Sequence, residues 1–173
     1  IAPVFVSAAA PNIGVKELMD EIVMLMPNAA EMPDAEALDA SGNPVTLKID
    51  PAAPFVAHVL KTIADPFVGK LSVIKIVQGT DMSIVNANTG KTEKCSGLGV
   101  MRGKKLINES ELEAGDIGAV AKLQHTATGD TLCSASCVVK FPPIVFPEPC
   151  ICLAVGAKKK GEEEKVFSGL HRL

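Results

Sequence analysis

The sequence has no tryptophan and no tyrosine, and phenylalanine supplies all of its 3% aromatic content. A sheet that binds RNA by stacking bases on exposed rings is therefore disfavoured. Any core has to be assembled from Val, Ile, Leu, Ala and Met. A basic excess is missing too. The formal net charge is −3, the wrong sign for a free-standing nucleic-acid binder, so RNA contact would have to come from a local patch. No apolar run approaches the ~20 residues that a spanning helix needs. The opening Ile1-Ala2-Pro3-Val4-Phe5 has neither a basic leader nor an initiator Met. That argues against a signal peptide and for a fragment or a processed start.

What is present fits one ordinary domain, or one small domain with two partial neighbours: 173 residues, 47% of them hydrophobic. The cysteines are Cys95, Cys133, Cys137, Cys150 and Cys152. An odd count without a secretory signal reads as reduced thiols in a cytoplasmic protein.

Along the chain, Gly14 to Met26 repeats Val15, Leu18, Ile22 and Val23 at helical spacing, and Pro27 stops it. Residues 28–50 carry Pro33, Gly42 and Pro44 and read as a linker with one short strand, Val45 to Ile49. From Pro54 the period becomes that of strands: Phe55 to Ile63, Leu71 to Val77, Ile84 to Ala87, Lys91 to Met101, Ile117 to Leu123 and Thr131 to Val139. Asn88-Thr89-Gly90 and Gly103-Lys104-Lys105 read as turns. Short strands at this spacing predict a sandwich or a closed barrel. Prolines 142, 143, 147 and 149 mark a boundary, Cys150 to Val155 reads as a new strand, and Gly161 to Leu173 as a helix with Glu162, Glu163 and Glu164 in its first turn.

Gly90-Lys91-Thr92 is the tempting phosphate loop. The full pattern needs a Gly five positions before Gly90, where Val85 stands, and a helix after it, where a strand is expected. A hairpin turn is the better reading, and no Asn-Lys-x-Asp guanine-reading motif is present. Cys133-x3-Cys137 and Cys150-x-Cys152 lack the closer knuckle spacing that zinc favours, and no metal is assigned. A nucleophilic thiol would need a partner such as His58 or His125, which nothing in the spacing requires.

Several stretches resemble elongation factor G, in matching order and spacing. Val6-Ser7-Ala8 with Asn12 to Asp20 is similar to the end of that family's GTPase domain. Lys61 to Leu71, with Gly79-Thr80, is similar to the opening of its second domain. Ala114 to Ile117 and Thr128 to Cys133 are similar to that domain's close. Pro147-Glu148-Pro149, Glu164-Lys165 and Leu170 to Leu173 are similar to the start of the third. Leu98 to Lys105 departs from the family's Met-His-Ala-Asn stretch and looks more like the elongation factor G-like paralogues. The resemblance implies a mainly β fold: a closed antiparallel translation-factor β-barrel, flanked by a helix from the GTPase domain and the β-α start of a ferredoxin-like third domain. The implied division is 1–27 GTPase-domain remnant, 28–50 linker, 51–140 barrel and 141–173 start of the third domain.

The implied function is part of a ribosome-dependent translational GTPase acting in translocation. The barrel would dock on small-subunit ribosomal RNA and pack on the GTPase domain, with no membrane partner. GTP and Mg²⁺ would belong to the parent, and this stretch would carry no catalytic residue. Ser7 and Ala8 are the nucleotide-site remnant that the resemblance implies. Lys61, Lys70, Lys75, Arg102, Lys104 and Lys105 are candidates for phosphate contacts, weighed against a plain solvated surface. Asp65, Pro66, Gly69, Gly115, Asp116, Gly129, Asp130 and Thr131 read as structural turn residues. Self-association through orphaned apolar faces is a further expectation. Two other readings stand beside this one: the same stretch from a ribosome-protection or release-factor GTPase, and a self-contained binding barrel or thiol enzyme.

Overall fold

The computed structural model describes residues 2–65, 69–80, 84–103 and 105–170. The chain divides into two compact units, residues 1–33 and 34–173. In the first, Ala8 and Ile13 exchange backbone hydrogen bonds of 2.9 and 3.0 Å and close a tight loop. Gly14 follows with φ +70°, and helix α1 runs Val15–Leu25. Asn28 then caps one 3₁₀ turn, Ala29–Glu31. Its side chain accepts from Ala30 and Glu31, while the Glu31 carboxylate accepts the Asn28 N–H. This reciprocal arrangement satisfies donors that a helix start otherwise leaves bare.

The second unit opens with a hairpin, β1 Ala35–Asp39 and β2 Pro44–Leu47. The Asp39 carboxylate makes the turn by accepting from Ser41 and Asn43, both at 2.8 Å. The strand expected at Val45 to Ile49 is thus present as β2, and the stretch read as a linker holds a second strand as well. The larger sheet is built from β3 Val56–Asp65, β4 Gly69–Gln78, β5 Ile84–Asn86, β6 Thr92–Glu93, β7 Leu98–Arg102, β8 Lys105–Asn108, β9 Ile117–Ala121 and β10 Thr131–Cys133. A last strand, β11 Val139–Lys140, joins β1.

The larger sheet runs β6-β5-β10-β3-β4-β9-β7-β8, and its neighbouring strands pair antiparallel. Strand alternation sends Ala57, Val59, Ile74, Ile76, Val120 and Leu132 to the inner side, where they join Phe55 in the main core. The other face carries a smaller cluster around Leu71, Ala119 and Ala121. Two glycines sit at close approaches within the sheet. A Cβ on Gly99 would lie 2.1 Å from the Ile107 carbonyl oxygen, and one on Gly118 would lie 2.0 Å from Leu112 Cδ1.

Closure departs from expectation. The sheet is a curled half-barrel, and its terminal strands β6 and β8 do not pair among the described residues. The run expected as one strand, Lys91 to Met101, is broken between Glu93 and Leu98. Its first part pairs with β5 and its second with β9. Gly97, at φ +83°, turns the chain out of strand geometry, so the ladder cannot pass through. Individual bonds span the gap instead: Ala121 N–H donates to Gly97 O at 3.0 Å, and Ser96 Oγ donates to Ala121 O at 3.4 Å.

Cys150 to Val155, expected as a strand, lies in no ladder among the described residues. A strand exists only where a neighbour takes its N–H and C=O groups. The final helix is present as α2, Glu163–Leu170, with Glu163 and Glu164 in its first turn. No helix is long and apolar enough to cross a membrane among the described residues.

Candidate nucleic-acid interface and the polar seam behind it

The densest chemistry lies at the break in the sheet. Glu93, at the end of β6, is 6% exposed. One oxygen accepts from His125 N–H at 2.6 Å and Thr126 Oγ1 at 2.8 Å; the other accepts from Gln124 N–H at 3.0 Å. Its carboxylate thus does between β6 and the end of β9 what a backbone ladder does elsewhere. Burial pushes this carboxyl up, but the Thr126 hydroxyl and the Gln124 and His125 N–H groups outweigh it and hold it below the usual range. Asn86, on β5, is fully buried beside it. Its amide donates to His125 O, Thr126 Oγ1 and Asp130 Oδ2, while its oxygen accepts from Asn88 and Thr89. Three turns are thereby fixed to one side chain. Nothing in the sequence pattern singled out Glu93 or Asn86. The partners of the Glu93 carboxylate and of the Asn86 amide N–H₂ lie 31 to 44 positions away, beyond any local periodicity.

The basic candidates do not form one patch. Arg102 and Lys105 stand opposite each other at the tip of the β7–β8 hairpin, both exposed. Lys104, between them, lies outside the described residues. Lys75 and Lys61 face the outer side of the sheet, at the positions opposite His58 and Val73. Lys61 is exposed and Lys75 half-buried. Lys70 sits at the far end of β4, about 17 Å from Lys75 at strand rise. Its ammonium donates to the Thr126 carbonyl, which ties it to the seam.

The expected turn residues lie at close backbone junctions. Asp65 stands opposite Gly69 where β3 meets β4; Pro66 lies outside the described residues. Gly115 N–H donates to Ile76 O at 2.8 Å, and Ile76 N–H donates to Asp116 O at 3.0 Å. Gly129 N–H donates to Val59 O at 2.8 Å, and Val59 N–H donates to Asp130 O at 2.9 Å. Thr131 is fully buried, and its hydroxyl accepts Phe141 N–H at 2.9 Å.

Ser7 and Ala8 are exposed on the loop before α1. A Cβ on Gly14 would meet the Val6 carbonyl at 2.7 Å, so this loop is pressed against the helix start. Gly90-Lys91-Thr92 lies in the β5–β6 hairpin. Gly90 N–H donates to Asn86 O and Asn86 N–H donates to Lys91 O. Those amides are committed to the turn, and no helix N-terminus follows, so this backbone does not fit a nucleotide phosphate. Among the described residues no cluster of three metal-ligating side chains occurs. Burial raises the Cys95 and Cys133 thiols, the direction opposite to that of a nucleophile. His58 packs against the Phe141 ring at 4.9 Å.

Comparison with known proteins places this geometry. Residues 54–135 match the family model described as elongation factor G domain 2. Over 174 aligned residues, 99% of this chain, the sequence is 37% identical to elongation factor G of Ureaplasma urealyticum serovar 10 and to that of Ureaplasma parvum serovar 3. The chain spans about a quarter of the length of these curated relatives, 25% in each case.

Proposed function

Since the chain belongs to the elongation factor G family, we propose that it serves as part of a ribosome-dependent translational GTPase, in the translocation step of protein synthesis. The observation that carries this reading is the position of the family match: residues 54–135 cover β3 to β10, the whole curled sheet with its basic hairpin tip. Residues 51–140 act as the docking domain, with 28–50 leading into it. Residues 1–27 act as the close of a GTPase domain, with Ser7 and Ala8 beside the guanine, and 141–173 as the start of a third domain. GTP and Mg²⁺ bind elsewhere in the parent, a reading supported by the Gly90-Lys91-Thr92 hairpin, whose amides at Gly90 and Asn86 are taken by the turn. The protein works in the cytoplasm, with the ribosome as its partner.

Arg102 and Lys105 make the leading contact with small-subunit ribosomal RNA, with Lys61 and Lys75 as secondary contacts on the outer face. Lys70 holds the Thr126 carbonyl and takes no part. Phosphate contacts of this kind position a protein without reading sequence. The test is binding of the purified chain to small ribosomal subunits across a salt series. Replacing both Arg102 and Lys105 by Glu is expected to weaken binding and to lower the salt slope by about two. Replacing Lys70 by Met should leave the slope unchanged. Calorimetry with GTP and Mg²⁺ should give no heat with this chain. Saturable nucleotide binding would overturn the assignment of the phosphate site to another part of the parent.

A further inference from the structure

The solvent side of the seam is basic. Two segments run side by side there: Ser96 Oγ donates to Ala121 O, Ala121 N–H donates to Gly97 O, and the Glu93 carboxylate accepts from Gln124 and His125. Glu93 and Leu123 turn inward, 6% and 1% exposed. Lys94 and Lys122, beside them in the chain, are exposed. Lys91 joins them from the β5–β6 hairpin, where its ammonium lies 3.5 Å from Nδ1 of His125. None of the three ammonium groups pairs with a carboxylate among the described residues. The acids of the seam are already occupied: Glu93 by the three donors above, and Asp130 by the Asn86 amide and Ala127 N–H.

Lys122 carries an independent signal. Its φ is +63°, and among the described residues Asn12 is the only other non-glycine residue with a positive φ. A Cβ makes this conformation costly, whereas glycine adopts it freely. Glycine would serve the backbone better here, so the lysine points to a use for its side chain.

Resting on the reading that the chain docks on the ribosome, we propose that Lys91, Lys94 and Lys122 form a phosphate-docking site for ribosomal RNA, separate from the Arg102–Lys105 hairpin tip. The β7–β9 register sets Leu98 against Val120 and Gly99 against Ala119. Continued, it brings Arg102 level with Asp116, about 20 Å from Lys122 at strand rise. From Lys122 to His125, by contrast, is at most about 10 Å of chain, short enough for one stretch of sugar–phosphate backbone to meet all three lysines. The surroundings favour RNA over protein. Thr92 and Gln124 are exposed beside the lysines, and no large hydrophobic side chain is exposed at 91–97 or 121–126. Lysine with Thr and Gln donors is a set that contacts phosphate and sugar, while a protein interface has an apolar centre.

The experiment measures binding of the 173-residue chain to small ribosomal subunits, and to the protein-free RNA of those subunits, over a salt series. Lys91→Gln, Lys94→Gln and Lys122→Gly together should lower the salt slope by about three on both probes. Lys122→Gly alone should lower it by about one while melting at or above the temperature of the parent chain, because glycine relieves the turn. Lys48→Gln, which removes an exposed charge just past β2, should leave the slope unchanged. An unchanged slope with Lys122→Gly overturns the proposal, since the lysine would then do nothing that glycine does not. A triple variant that binds like the parent, while the Arg102 and Lys105 changes weaken binding, overturns it too and leaves ribosome docking standing. Loss on the subunits but not on the RNA assigns the cluster to a ribosomal protein and overturns the RNA site. If the chain ignores the subunits altogether, ribosome docking falls, and the slopes on the RNA alone decide the cluster.

Discussion

Glu93 shows how much a single buried charge can hold. Three hydrogen bonds converge on its carboxylate, and bonds to a charged group are worth more than neutral ones. Glu93→Gln keeps the shape but turns an amide N–H₂ towards backbone donors, so a loss of about 2 kcal/mol is expected in urea unfolding. Glu93→Ala leaves all three donors without it and should cost more. The pH dependence follows in sign. The folded carboxyl sits below its ordinary value of 4.5, so its stabilisation is complete above that pH and is lost as the pH falls through the lowered value. His58 acts earlier. Burial lowers its pKa from 6.5, against an opposing backbone contact with Gly129. Its depressed folded value favours the neutral ring, so stability present above 6.5 is lost as the pH falls through that lowered value. Acid titration of the melting temperature should therefore show an earlier decline that His58→Gln removes and a later one that Glu93→Gln reduces, the remainder of the later one belonging to Asp39, whose carboxyl the Asn43 bonds also hold low. An earlier decline unchanged by His58→Gln, or a later one unchanged by Glu93→Gln, would count against this assignment.

At the scale of elements, the long strands β3 and β4 were legible because each is a run rich in β-branched and aliphatic residues bounded by turn residues, although register shifts at Val56/Ala57 and Val59/Lys61 break the alternation in β3, and helix α1 because its apolar residues keep a helical period. The broken run was not legible. Lys91 to Met101 has strand composition on both sides of Gly97, and a glycine in a strand is equally compatible with a bulge, a bend or an interruption. Nor could the sequence show that Cys150 to Val155 would have no neighbour, since pairing is a property of two segments. Two glycines make a contrasting pair of tests. A Cβ at Gly99 meets a carbonyl oxygen on the paired strand, at 2.1 Å; one at Gly118 meets the tip of the Leu112 side chain, at 2.0 Å. Backbone in a ladder cannot step aside, whereas a leucine can change rotamer. Gly99→Ala should therefore destabilise by about 3 kcal/mol or more, and Gly118→Ala by about 1–2 kcal/mol. Equal losses in thermal unfolding would mean that Leu112 is held as rigidly as the ladder.

For the molecule as a whole, the question is whether the seam opens by itself or only with the sheet. The basic hairpin and the seam are joined through β7, which pairs with both β8 and β9, while the core is centred on β3 and β4, where side chains such as Ile74 and Val59 are fully buried. Regions held by few bonds open at lower free energy than the core they border. Hydrogen exchange should therefore be slowest in β3, β4 and β9, and faster at residues 94–97 and 122–126. Glu93→Ala should speed exchange at Gln124 and His125, whose N–H groups it leaves unbonded, without changing the centre of β4. That outcome would make the seam a separate opening unit, able to reshape the hairpin that presents Arg102 and Lys105 while the core stays folded. If exchange rises uniformly across the sheet instead, the carboxylate is part of the global folding unit, and the hairpin is as rigid as the rest of the sheet.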